Sequence, residues 1–177
     1  MKNQANGDTD YWDLKARDFE ALSVREMEIV KGSALFSGLP DKILEGLLNK
    51  TSVIKYPRNT LLFRQGQPAD NCYLLLDGWV KIFRNVPGSK QAVLAVRSSG
   101  ETIAEAAVIK GWNYTSCAEV ASDARLLRIP AGPLLKLLRE NGGFSMLMLG
   151  YLSEKLHGMA FKLGRFQTQS APQRLGN

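Results

Sequence analysis

Short apolar segments separated by turn chemistry dominate the middle of the chain. Between Ser52 and Pro130 they are Val53-Ile54, Leu61-Leu62-Phe63, Tyr73-Leu74-Leu75-Leu76, Val80-Lys81-Ile82-Phe83, Ala92-Val93-Leu94-Ala95-Val96 and Leu126-Leu127-Arg128-Ile129. Pro57-Arg58-Asn59, Gln65-Gly66-Gln67-Pro68, Asp77-Gly78, Pro87-Gly88 and Ser98-Ser99-Gly100 punctuate them. Strand-length runs at a spacing of roughly 8–12 residues, without helices between them, predict an antiparallel sandwich or barrel rather than βαβ units. The stretch has room for a jelly roll of about eight strands. Asp77-Gly78 reads as a hairpin turn, because both residues tolerate positive φ. Pro87-Gly88 reads as a similar reversal.

Helical periodicity flanks this stretch. Ser23 is followed three residues later by Glu26, a capping-box pattern that opens a short helix with Met27 and Val30 on its apolar side. After Leu39-Pro40-Asp41, the positions Ile43, Leu44, Leu47 and Leu48 mark one face of a second helix. Pro133 reads as the first residue of a third, which Asn141-Gly142-Gly143 ends. Beyond Phe144 the pattern has two apolar faces. Leu149, Leu152, Leu156, Met159, Leu163 and Phe166 recur at spacings of 3, 4, 3, 4 and 3, an a/d seam. Phe144, Leu147, Met148 and Tyr151 form the other face at i, i+3, i+4 and i+7. The simplest geometry sets the second face on the barrel and the seam on the same helix of a second subunit. The expected organisation is a flexible leader at 1–18, a β-roll domain with short helices at 19–141 and a dimerisation helix at 142–169.

Composition narrows the function classes. The 177 residues are 45% hydrophobic and 23% charged, which suits one globular domain with tails. No apolar run reaches membrane-spanning length, and Met1 to Asp10 is polar, so a cytoplasmic protein is expected. Cys72 and Cys117 lack C-x-x-C spacing and read as two reduced thiols. His157 is the single histidine, and no G-x-S-x-G motif is present, which leaves no Ser-His-Asp or Cys-His machinery and too few ligands for zinc. The chain is expected not to be an enzyme. A net charge of +6 permits an anionic partner without requiring one.

Several stretches then become recognisable together: Leu35-Phe36 with Leu39, Tyr56-Pro57 followed by Leu62-Phe63-Arg64-Gln65-Gly66, Pro68-Ala69-Asp70 followed by Tyr73-Leu74-Leu75-Leu76-Asp77-Gly78, and Val80-Lys81-Ile82-Phe83-Arg84. In this order, over about 130 residues ending at Lys155-Leu156, they resemble the effector domain of the Crp/Fnr family of bacterial transcription regulators. The resemblance implies a mainly β fold, a double-stranded β-helix of the cyclic-nucleotide-binding type, followed by a long dimerisation helix. It also implies a homodimer, a small-molecule or gas effector, and a C-terminal helix-turn-helix that binds a palindromic site.

The same resemblance points to the effector cassette. Members that bind a cyclic nucleotide carry a stretch similar to Gly-Glu-Leu-Ala, then Arg-Ser/Thr-Ala, whose arginine neutralises the cyclic phosphate. The matching residues here are Ile103, Ala104, Glu105, Ala106 and Ala107, then Tyr114, Thr115 and Ser116. Glu105 falls at the ribose-binding position, while Tyr114 stands in the place of the arginine and Ala104 in that of the glycine. A phenol does not replace a guanidinium on a phosphate, so cyclic nucleotide is the less expected effector. The cassette looks like that of the nitric-oxide-responsive denitrification regulators, which implies haem as a candidate cofactor with His157 as its candidate ligand; no other metal site is expected.

Ser170-Ala171-Pro172-Gln173-Arg174-Leu175 resembles the start of the family's DNA-binding domain, so 170–177 reads as the beginning of a helix-turn-helix domain absent from this chain. Lys155, Lys162, Arg165 and Arg174 read as solvated helix rather than a nucleic-acid patch. The expected function is the effector-sensing domain of a Crp/Fnr-type regulator. A free-standing cyclic-nucleotide-binding-like module acting on a partner protein is the alternative.

Overall fold

The structure, a computed structural model, describes residues 21–85 and 91–168. Helices α1 (Val24–Gly32) and α2 (Asp41–Leu48) lead into strands β1 (Ser52–Tyr56), β2 (Leu61–Phe63), β3 (Asn71–Asp77), β4 (Val80–Arg84), β5 (Ala92–Arg97) and β6 (Thr102–Ile103). Helix α3 (Glu105–Lys110) precedes β7 (Cys117–Val120) and β8 (Ala124–Pro130), and α4 (Ala131–Glu140) and α5 (Gly142–Thr168) follow. The strands form two antiparallel sheets, in the orders β1-β8-β3-β6 and β2-β7-β4-β5. This is the expected double-layered β-roll with flanking helices and a long final helix. The leader at 1–18, the Pro87-Gly88 turn and residues 170–177 lie outside the described residues, as do the side chains of Leu163 and Phe166.

Strand β3 explains why its sequence is apolar without alternation. Cys72, Leu74 and Leu76 join a cluster with Val30, Leu44, Leu134 and Phe144 of the helices, while Tyr73 and Leu75 join another with Phe63, Val80 and Ala118 of the second sheet. Successive side chains leave a strand on opposite faces, and here both faces are covered. β8 behaves alike, with Leu127 and Ile129 toward the helices and Leu126 toward the second sheet. β5 lies at a sheet edge with Val93, Leu94 and Val96 exposed.

Helix α1 starts where the capping box predicts. Ser23 Oγ accepts from the Glu26 amide, and Glu26 accepts from the Ser23 amide at 2.8 Å. The same carboxylate receives Arg125 of β8, so one acid both starts the helix and fastens it to the barrel. Asn141 serves both sides of the α4–α5 junction: its amide donates to Leu137 O, and its side-chain oxygen accepts from the Phe144 amide at 2.8 Å. That side-chain acceptor satisfies one of the first-turn donors of α5.

Two expectations change. β3 and β4 do not form a hairpin, since they belong to different sheets, and Asp77-Gly78-Trp79 is the corner between them. Gly78 has φ +89°, and a Cβ there would lie 2.4 Å from Asp123 O; the glycine is required by close approach of the β7–β8 turn, not by a two-residue loop. Helix α4 begins at Ala131, so Pro133 is its third residue rather than its first, which still leaves the missing N–H among those without an intrahelical acceptor. The short β6 and β7 also escape the pattern, because Thr102-Ile103 and Cys117-Ala118-Glu119-Val120 lack a long apolar run.

Gly78→Ala is expected to lower stability by at least about 3 kcal/mol through strain and overlap. Gly66→Ala, with φ +89° but open space around the site, is expected to cost roughly 1–2 kcal/mol. Urea unfolding of the two variants measures the difference.

Candidate functional site

The cassette is a local consequence of one unusual backbone position. After β6, Ala104 adopts a left-handed conformation (φ 68°, ψ 10°), which turns the chain directly into α3 with Glu105 as its first residue. Such φ values favour glycine. Gly111, also left-handed, ends the helix. The returning segment is stitched to the β2–β3 loop: the Tyr114 amide donates to Gln67 O, and the Gly66 amide donates to Tyr114 O, each at 2.8 Å. All eight predicted cassette residues, Ile103, Ala104, Glu105, Ala106, Ala107, Tyr114, Thr115 and Ser116, line one cavity of about 160 Å³. Phe63, Ile82, Arg97, Thr102 and Lys155 complete its wall.

Tyr114 is a plug rather than a phosphate ligand. Its ring stacks on Phe63 with centroids 3.8 Å apart and an interplanar angle of 14°. Its hydroxyl donates to Asn71 O at 2.7 Å and accepts from the Asn71 amide. Burial pushes the phenol up to about 12, so it carries no charge at neutral pH.

Glu105 is 2% exposed, and a buried carboxylate requires compensation. The compensation comes from α5. Lys155 forms an ion pair with Glu105 Oε1, and Tyr151 Oη donates to the same oxygen at 3.1 Å. With its one proton committed, Tyr151 Oη accepts from Lys155 Nζ at 3.2 Å and from Thr102 Oγ1 at 2.9 Å. Burial alone would raise the Glu105 carboxyl, but the Lys155 ammonium and these hydrogen bonds outweigh it and hold it below the ordinary 4.5. Burial likewise lowers Lys155, and Glu105 more than offsets this, leaving the ammonium above 10.5.

Lys155 therefore corrects an expectation: it is not a solvated helix residue but part of the pocket. The sequence contains a signal for it. Phe144, Met148, Tyr151 and Lys155 continue one barrel-facing stripe at spacings of 4, 3 and 4, with the charge at the end. Arg97, bonded to Glu101 at 2.8 Å, was equally unmarked, since it is simply the last residue of an edge strand. A second cavity of about 370 Å³ lies on the other side, with Arg97, Thr102 and Lys155 shared between the two walls.

At the position where the resemblance implies a ribose-binding carboxylate, Glu105 is already bonded to α5, and where it implies an arginine the chain carries the buried neutral ring of Tyr114. Haem is not matched. His157 is exposed and lines neither cavity, and no His, Cys, Asp and Glu cluster suited to a metal ion occurs among the described residues. Cys72 and Cys117 are both free and buried, and burial raises the Cys72 thiol well above its usual range.

On α5, Phe144 and Met148 are buried against the helix-side core and Tyr151 packs on it, while Leu147 is 40% exposed. On the seam, Leu149, Leu156 and Met159 are exposed and Leu152 is half-buried. No described helix is long and apolar enough to cross a membrane.

Comparison with known proteins agrees with the fold. The profile of the cyclic nucleotide-binding domain family matches residues 53–141. A CRP-like cAMP-activated global transcriptional regulator of Mycobacterium tuberculosis is 22% identical over 129 residues, which span 73% of this chain and 58% of that protein. The cyclic AMP receptor protein of Thermus thermophilus is 25% identical over 82% of this chain and 68% of its own length. The sensor domain of the transcriptional regulator DNR from Pseudomonas aeruginosa superposes with a TM-score of 0.68 at 29% identity, covering 76% of this chain and 90% of that one.

Glu105→Gln is expected to lower stability by about 2 kcal/mol at neutral pH, the scale of lost hydrogen bonds to a charged group. The Glu105 contribution is complete above its ordinary 4.5 and is lost as pH falls through its lower folded value; that of Lys155 is complete below 10.5 and is lost as pH rises through its higher folded value. The gap between the two proteins should therefore be flat between these limits and narrow beyond each. Denaturant unfolding across pH measures it.

Proposed function

The chain belongs to the cyclic nucleotide-binding domain family, and from that premise we propose that it is the effector-sensing domain of a Crp/Fnr-type transcription regulator, signalling through α5 across a homodimer without responding to cyclic AMP. The bond from Lys155 and Tyr151 of α5 to the cassette carboxylate Glu105 carries this reading. A molecule that binds Glu105 acts on the group that anchors the helix. An effector shifts a conformational equilibrium only by favouring one arrangement, and here the two arrangements are α5 bonded to the cassette or released from it.

The exposed seam supports the dimer. Leu149, Leu156 and Met159 are 60%, 68% and 57% exposed in the single chain, at spacings that suit packing against a second copy of α5. Leu152, Leu163 and Phe166 complete the proposed interface. On this reading residues 19–141 sense, 142–169 dimerise, and 170–177 lead toward a helix-turn-helix that contacts DNA. Relatives that are transcription regulators support a non-enzymatic role in the cytoplasm.

Light scattering at micromolar concentration is expected to give a dimer mass, and Leu156→Lys, which would bury a charge in the seam, a monomer. A monomer mass for the unmodified chain would remove the dimer from this account. Cyclic AMP at millimolar concentration is expected to leave the melting temperature unchanged; a rise of several degrees would contradict the reading of Tyr114.

A further inference from the structure

The charge arrangement around the cassette cavity restricts what can enter it. Glu105 is buried, and its compensation is Lys155. A plain anion that drew Lys155 away would leave Glu105 unpaired in the interior, a costly state. A plain cation could replace Lys155 on Glu105 but would face Lys155 and Arg97, which both border the cavity. A molecule with both functions avoids each penalty: a hydrogen-bond donor for Glu105 and, beside it, a carboxylate for Lys155. Glu101, the partner of Arg97, does not line this cavity, so the charged groups facing it are two cations and one carboxylate. Arg97 is already balanced by Glu101, so the charges open to a ligand are the bonded Glu105 and Lys155, one acceptor and one cation. The volume of about 160 Å³ is close to the roughly 150 Å³ cavity that holds benzene, which points to a ligand of about 6–10 non-hydrogen atoms. The hydroxyl-bearing Thr102, Thr115 and Ser116 border the same space.

Resting on the sensing-domain reading above, we propose that the effector is a small α-hydroxy or α-amino carboxylate that inserts between Glu105 and Lys155. Its hydroxyl or ammonium donates to Glu105, and its carboxylate accepts from Lys155. Insertion separates α5 from the cassette without leaving either charge unpaired. The ligand reaches the pair from the larger cavity, of which Lys155 is also a wall.

The test is calorimetry and thermal melting of this chain with L-lactate, L-malate, L-alanine and L-glutamate, each set against its counterpart without the donor: propionate for lactate and alanine, succinate for malate and glutarate for glutamate. At least one donor-bearing acid is expected to raise the melting temperature by several degrees and to bind at least tenfold more tightly than its counterpart. Lys155→Met should weaken that binding at least tenfold, and Lys155→Arg, which keeps the charge, should retain it. Silence from all four donor-bearing acids would overturn the proposal. So would equal binding of the counterparts, or tighter binding by Lys155→Met, the signature of a ligand that merely displaces the lysine. The dimer mass and the absence of a cyclic AMP response test the sensing-domain reading separately, so either idea can fail while the other stands.

Discussion

The organisation of this protein depends on one buried charge. Glu105 starts a helix of only one and a half turns within the β-roll and is almost wholly buried. Ionised carboxylates persist in such places only when a counter-charge and hydrogen bonds replace the lost hydration. Both come from α5, through Lys155 and Tyr151, with Thr102 completing the set. The cassette and the long helix thus form one electrostatic unit. A change at the carboxylate is a change in how the helix is held.

Tyr114 gives the same site its second constraint. In place of a group that attracts phosphate, it puts an aromatic ring stacked on Phe63 and bonded to the β3 backbone through Asn71. The ring ties β2, the start of β3 and the segment before β7 into one packed edge. The cavity that remains is small and is bordered by Arg97, Glu105 and Lys155, by the hydroxyl side chains of Thr102, Thr115 and Ser116, and by apolar groups.

The helix that carries Lys155 has two obligations. Its first turns bury Phe144 and Met148 in the core beneath the first sheet, which fixes the axis. Further along, exposed Leu149, Leu156 and Met159 present apolar surface away from the barrel. Both faces belong to one continuous helix, so the residue bonded to the cassette and the outward apolar surface share one element.

Much of this was legible in the chain itself. Six of the eight described strands follow from short apolar runs set between turn residues, the start of α1 from the Ser23 and Glu26 capping pair, and the two faces of α5 from a helical period of about 3.6. The eight cassette residues were marked by their likeness to a known pattern, and they do share a cavity. What the local pattern could not show are contacts between distant residues. Asp77-Gly78 looks like a hairpin in isolation, yet it is a corner between sheets because the chain at Asp123 and Ala124 passes within van der Waals distance of Gly78. Lys155 looks like solvated helix, yet it faces a carboxylate fifty positions earlier. The sequence by itself determined the elements and the chemistry available, because propensity and burial pattern are local properties. Only the tertiary structure decided which charges meet, because an ion pair depends on distances that folding sets between remote parts of the chain.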